Sequence, residues 1–195
     1  MRYLEIKNYD VSNGPGVRVS IFVSGCTHHC KGCFNESSWD FKAGKEFGEE
    51  DINNIIELMK PDYINGLSLL GGEPFEPVNQ EGLLPLVKRV KEVYPNKNIW
   101  CYSGYLFDKQ ILDIMVPKYK YTSELLKYID VLVDGEFHLD EKDLSIIFRG
   151  SSNQRIIDVQ ESLKEKKIVL NYRNDFRRGQ DDKNKRIWNC KRLWG

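Results

Sequence analysis

No stretch of this chain is apolar for the roughly 18 residues that a membrane crossing needs, which argues against an integral helical membrane protein. Internal repeats are lacking, so solenoid and propeller architectures are set aside. There is no long low-complexity segment. Net charge is also missing: 29 Lys and Arg face 29 Asp and Glu, which gives no support to a dedicated nucleic-acid binder. The opening residues, Met1-Arg2-Tyr3-Leu4-Glu5-Ile6-Lys7, lack the apolar core of a signal peptide and alternate like a strand. A cytoplasmic protein is therefore expected. In that compartment the five cysteines stay reduced, and clustered ones read as metal ligands rather than disulfides.

What is present suits one globular domain with a sizeable core: 195 residues, 41% hydrophobic and 30% charged. The balanced charge is unevenly placed. From Lys164 to Gly195 there are eleven Lys and Arg against four Asp and Glu. Such a basic end suits nucleic acid or an acidic partner, or is simply a solvated tail. Beyond Asn171 the pattern dissolves into charge, apart from Ile187, Trp188, Leu193 and Trp194. Residues 1–171 are expected to form the domain, and residues 172–195 a partly disordered basic tail.

Strands and helices alternate along the domain. Val17 to Ser24 reads as a buried strand, and Leu67 to Leu70 as a short strand running into Gly71-Gly72. Ile99 to Tyr102 and Val131 to Val133 are two more, ending at Ser103-Gly104 and Asp134-Gly135. Ile52, Ile55, Ile56 and Met59 recur at helical spacing, and Pro61 stops that helix. Gln80 to Val93 is a second amphipathic helix, and helical pieces follow at Asp108 to Met115 and Ser123 to Tyr128. Late strands are expected at Gln154 to Val159 and Ile168 to Leu170, flanking a helix over 160–167. This alternation predicts an α/β fold with a mostly parallel sheet. In such folds ligands sit at the carboxyl ends of strands, where the polar and glycine motifs converge.

Cys26, Cys30 and Cys33 form CxxxCxxC on the loop leaving the first buried strand. Tetrahedral zinc needs four ligands, and a cubane cluster has four irons to hold. Three local thiolates leave one position open unless a remote residue closes it. Spacing alone keeps two readings: a 4Fe-4S cluster with an open iron, or structural zinc completed by Cys101, Cys190, His28 or His29. His28 and His29 read as loop residues, Cys101 as a buried core thiol and Cys190 as incidental. Gly71-Gly72-Glu73-Pro74 follows a strand, where two glycines allow a sharp bend and close ligand approach. The Glu73 carboxylate is suited to accept from a ligand ammonium group. Arg18 reads as a partner or cofactor contact or a surface charge. Asp134 faces a nucleoside or caps the next turn, and Ser103 reads similarly. Trp188 and Trp194 are candidate anchors for the tail or a partner.

CxxxCxxC together with GGEP resembles the radical S-adenosylmethionine superfamily. The stretch Asn13-Gly14-Pro15-Gly16-Val17-Arg18 resembles the glycyl-radical-enzyme activases within it. Trp100 to Tyr105, Asp130 to Gly135 and Gly150 to Asp158 are similar to the activases of anaerobic ribonucleotide reductases, a likeness running from about residue 2 to residue 165. The resemblance implies a small incomplete parallel (β/α) barrel of the radical SAM type. It implies Cys26, Cys30 and Cys33 as ligands of one 4Fe-4S cluster, with Gly71, Gly72, Glu73 and Pro74 holding S-adenosylmethionine. The family's usual aromatic residue before the third cysteine is here Gly32, with Phe34 after it, so the Gly32-Cys33-Phe34 backbone is expected beside the adenine. No side chain is assigned a catalytic role, the chemistry resting on cluster and S-adenosylmethionine. The implied partners are an anaerobic (class III) ribonucleoside-triphosphate reductase and a flavodoxin or ferredoxin-type electron donor, with neither membrane nor nucleic acid. The rivals are activation of another glycyl radical enzyme, such as pyruvate formate-lyase, and, remotely, a zinc-stabilised nucleic-acid-binding module.

Overall fold

The computed structural model describes residues 1–171. The tail 172–195, with Cys190, Trp188 and Trp194, lies outside the described residues. Strands β1 (Arg2–Asp10), β2 (Val17–Val23) and β3 (Lys45–Glu46) precede helix α1 (Glu49–Leu58). Strand β4 (Ile64–Gly71), helix α2 (Pro77–Val93) and strand β5 (Asn98–Ser103) follow. A π-helical segment (Phe107–Met115), α3 (Val116–Lys118), α4 (Thr122–Leu126), β6 (Val131–Asp134), β7 (Arg155–Asp158) and α5 (Val159–Glu165) complete the order.

The seven strands form one sheet in the order β3-β1-β2-β4-β5-β6-β7, which does not close on itself. Its four central strands, β2, β4, β5 and β6, run parallel, because helical crossovers return the chain to the same edge. Both flanks are antiparallel, with β1 on β2 and β7 on β6. The strand expected at 168–170 is reduced to a single bridge, Ile157 to Leu170. Helix α2 starts at Pro77, three residues before the expected 80, because proline fits the first helical turn, where no N–H is needed. The 107–115 segment winds wider than an α-helix, the Ile111 amide donating to the Leu106 carbonyl.

Strand alternation divides the core into two faces. Val19, Ile21, Leu67, Leu69, Ile99 and Leu132 point to the helices and pack with Ile55, Leu83, Leu86, Val87 and Val90. Each such side chain contributes about 1.5–3 kcal/mol when fully buried. The opposite face carries Trp100, Val131, Val133 and Ile156, with Tyr102 and Phe148 packed against them. Arg18 also lies inside the protein: it is fully buried, so the surface-charge reading is wrong. Its guanidinium donates to Ser68 Oγ at 2.7 Å, the Leu67 carbonyl at 2.8 Å, and the Asn98 and Pro15 carbonyls at 3.3 Å. It stands 5.7 Å from the Trp100 ring, and burial lowers its pKa to about 10. Among the described residues no helix is long and apolar enough to cross a membrane.

Candidate functional site

The carboxyl ends of β2, β4, β5 and β6 open into one cavity of about 520 Å³. Cys26, Cys30 and Cys33 line it from the loop after β2, and Gly71, Gly72 and Glu73 from the turn after β4. Ser103 and Gly104 border it after β5, and Gly135 after β6. Of the residues expected to contact a cofactor, Cys33, Phe34, Gly71, Gly72 and Glu73 are on the wall, whereas Gly32 and Pro74 are not. Phe34 is 61% exposed and leans on Phe137 at 5.2 Å between ring centres.

The cysteine loop and the glycine turn are bonded together. The Gly72 amide donates to the Val23 carbonyl at 2.7 Å and the Glu73 amide to the Gly25 carbonyl at 2.8 Å. A Cβ at Gly72 would stand 2.5 Å from the Gly25 oxygen, so only glycine permits this approach. Gly71, at φ +106°, takes the left-handed bend that begins the turn. The start of α2 fastens both segments. Buried Asn79 donates to the Ser24 carbonyl at 3.0 Å and the Glu73 carbonyl at 2.9 Å. Glu76 accepts from the Thr27 amide at 3.0 Å and hydroxyl at 2.6 Å.

The Glu73 carboxylate, 1% exposed, is surrounded by the protein's own donors. Oε1 accepts from the Phe75 amide and the Ser103 hydroxyl, both at 2.8 Å. Oε2 accepts from the Gly104 amide at 2.8 Å and lies 3.2 Å from His28 Nε2. His28 also reaches Glu136 through Nδ1 at 2.8 Å. Burial pulls the His28 pKa down, but the close Glu73 carboxylate, then Glu136, outweighs it and raises the value to about 9. His28 is thus a cationic bridge in the site, more than a loop residue. A Cβ at Gly104 would fall 2.6 Å from its ring.

Cys26 is 8% exposed, Cys30 and Cys33 are half-buried, and all three are free thiols. Burial pushes the Cys26 thiol up to about 11 and raises Cys30 as well. The Asn35 amide donates to the Cys33 sulfur at 3.3 Å, and the backbone beside Cys26 (His28, His29) and Cys30 (Phe137) pulls those thiols down against burial. Donors of this kind stabilise thiolate charge and tune a bound cluster. Three thiols on one shared volume are the donor set that a cluster with three protein ligands needs, although among the described residues no three His, Cys, Asp or Glu side chains are gathered into a formed metal site. Cys101 is fully buried in the helix-facing core, away from this wall.

Other expected residues have structural partners. Asp134 is fully buried, accepting from the Phe107 amide at 2.7 Å and from Arg155 Nε at 2.9 Å. It therefore caps the segment after β5 and does not reach the cavity wall. Ser103 bridges Glu73 and the Tyr105 amide. Within Gly150 to Asp158, Gln154 accepts from the Gly150 amide at 2.8 Å and donates to the Gly135 carbonyl at 2.9 Å. Asn153 donates to the Glu136 carbonyl at 2.8 Å, so this segment fixes the end of β6 beside the site.

A family model described as a 4Fe-4S single cluster domain matches residues 12–157. An anaerobic ribonucleoside-triphosphate reductase-activating protein of Haemophilus influenzae is 47% identical over 158 residues, covering 80% of this chain and 97% of that protein. Its counterpart in Vibrio cholerae is 43% identical over 162 residues, 80% of this chain and 97% of that one. The protein of the same name from Enterobacteria phage T4 is 40% identical over 160 residues, covering 80% and 93%. With a cluster-domain match across most of its length and relatives this similar over nearly their whole chains, the protein belongs to the anaerobic ribonucleoside-triphosphate reductase-activating protein family.

Proposed function

We propose that this protein activates an anaerobic, class III ribonucleoside-triphosphate reductase by generating a glycyl radical on it. The observation that carries the reading is that CxxxCxxC and Gly71-Gly72-Glu73, 38 residues apart at their nearest (from Cys33 to Gly71 is about one helix and two strands of chain), line one cavity in a chain 47% identical to such an activating protein. A 4Fe-4S cluster with S-adenosylmethionine, when bound, supplies reductive cleavage of a C–S bond and a 5′-deoxyadenosyl radical able to take hydrogen from a glycine.

The chain's own residues hold and enclose these groups. Cys26, Cys30 and Cys33 are the cluster ligands, and because burial favours the protonated form of Cys26 and Cys30, loading releases protons. Gly71, Gly72 and Glu73 form the seat of the methionyl end. Of the Gly32-Cys33-Phe34 stretch, Cys33 and Phe34 lie beside the adenine. Phe22 and Leu70 give the cavity an apolar floor, which limits water around a reactive radical. The open sheet serves as the incomplete barrel of the radical SAM type, with its mouth left for the reductase. Residues 1–171 are the activase domain and 172–195 an appended basic tail. The protein works in the cytoplasm with a flavodoxin or ferredoxin-type donor.

The test is electron paramagnetic resonance of anaerobically reconstituted, dithionite-reduced protein, with and without S-adenosylmethionine. A reduced-cluster signal that changes shape on adding the cofactor supports the reading. Zinc in the metal analysis and no cluster signal would sink it. Glycyl radical on a class III reductase, and none on pyruvate formate-lyase, separates this function from the other activases.

A further inference from the structure

Leu170 bridges Ile157 in the antiparallel sense, and the Asn171 amide donates to the Ile156 carbonyl at 2.7 Å. The chain therefore leaves the described residues running back along β7 toward Arg155. Arg155 pairs with Asp134, the last residue of β6, so this direction leads to the carboxyl ends of the parallel strands and the mouth of the cavity. There the rim is Glu136 to Leu144, which continues from the end of β6. It carries Glu136, Asp140, Glu141 and Asp143 against a single Lys142. It also holds two apolar side chains out to solvent, Leu139 at 42% and Leu144 at 69% exposure, the second on the cavity wall.

Residues 183–194 complement this rim in both respects. They carry five Lys and Arg, no Asp or Glu, and the apolar Ile187, Trp188, Leu193 and Trp194. From Asn171 to Ile187 is 16 residues, a reach of up to about 50 Å when extended, while β7 is only four residues long. A tether this short keeps the tail at roughly millimolar effective concentration near the rim, so contacts too weak for separate molecules suffice. Tryptophan against exposed leucine removes apolar surface from water, and basic residues opposite acidic ones fix the register. The family model ends at residue 157, and the Haemophilus influenzae protein, matched over 97% of its own length, accounts for 80% of this chain. A function shared with that relative thus needs no such tail, which favours the chain's own rim as its seat.

We propose that the tail 172–195 docks back on the Glu136–Leu144 rim of its own chain, its basic residues against the rim carboxylates and its tryptophans against Leu139 and Leu144. Docked there, the tail stands over the mouth of the cavity, and a large molecule entering by that mouth has to displace it. This holds whatever the cavity binds.

The test is photocrosslinking in the full chain. A benzoylphenylalanine is placed at position 144 and, as a control, at position 63, where Tyr63 is 54% exposed at the opposite, amino end of β4. Mass spectrometry of the irradiated protein, with light and heavy isotope-labelled chains mixed, shows which peptide is captured and whether it comes from the same chain. Position 144 should capture residues 172–195 of its own chain, and position 63 should not. The combined change Lys183→Glu, Lys185→Glu and Arg186→Glu leaves the domain untouched and should lower that yield about ten-fold, the scale of several lost surface ion pairs. Capture of no tail peptide from position 144, equal capture from position 63, or a yield unmoved by the three changes would each overturn the proposal. Capture only between light and heavy chains would also overturn it, by assigning the rim to a second copy.

Discussion

Glu73→Gln tests whether the Glu73 carboxylate organises the site before any ligand arrives. The substitution keeps the shape of the side chain and turns one acceptor oxygen into a donor NH₂. In one orientation the NH₂ faces the Phe75 amide, and in the other it faces the Gly104 amide, each now 2.8 Å from a carboxylate oxygen. The Ser103 hydroxyl can rotate to accept, but neither backbone amide can. Either way one buried N–H loses its partner, at about 1–3 kcal/mol, and the remaining bonds lose their charge assistance. A total near 2–3 kcal/mol lowers the thermal midpoint of a domain of this size by roughly 4–12 °C. The assay is thermal unfolding of unloaded, reduced protein, followed by circular dichroism. If Glu73 served only to receive a ligand amine, the unloaded variant would melt with the wild type. A midpoint within about 1 °C of wild type would refute the organising role.

Two further predictions address the thiols and the acid limb of stability. Cys30→Ala should reconstitute with iron and sulfide near background, whereas Cys101→Ala should keep both and lose about 1 kcal/mol to a small void. Retained cluster in the first, or lost cluster in the second, would show the ligand assignment to be wrong. Asp10 is fully buried; burial raises its pKa, but hydrogen bonds from Ser20, Asn13 and the Ser12 amide outweigh this and hold it below the ordinary 3.8. A carboxyl depressed in the folded state stabilises above its unfolded pKa, and that contribution is lost as pH falls through the folded value. Asp10→Asn should therefore be less stable than wild type at neutral pH, with the gap narrowing below about pH 4. Urea midpoints between pH 7 and pH 3 read this directly, and a constant gap would contradict it.

Much of the framework was legible because local rules govern it. Pro61 after the 49–58 helix, the apolar spacing of Leu83, Leu86, Val87 and Val90, and the β-branched run of β2 each reflect hydrogen bonding and burial within a few residues. The convergence of Cys26–Cys33, Gly71–Glu73, Ser103 and Gly135 also followed from pattern, since parallel strands joined by helices present their carboxyl ends on one side. Arg18 was misread because a charged residue near the start of a strand carries no local sign of burial. Its acceptors, Ser68, Leu67 and Asn98, come from β4 and β5, 49 to 80 residues away.

By itself the sequence determined the alternating α/β order, the three-thiol loop and the glycine turn that the site uses. These are short-range features, written in residue type and spacing. Only the tertiary structure decided how they are held. It brought His28 between Glu73 and Glu136 and set Asn79 and Glu76 as fasteners of the cysteine loop. Each of those depends on strand order and register, which place side chains distant in sequence within hydrogen-bond reach, and no local periodicity records such pairings.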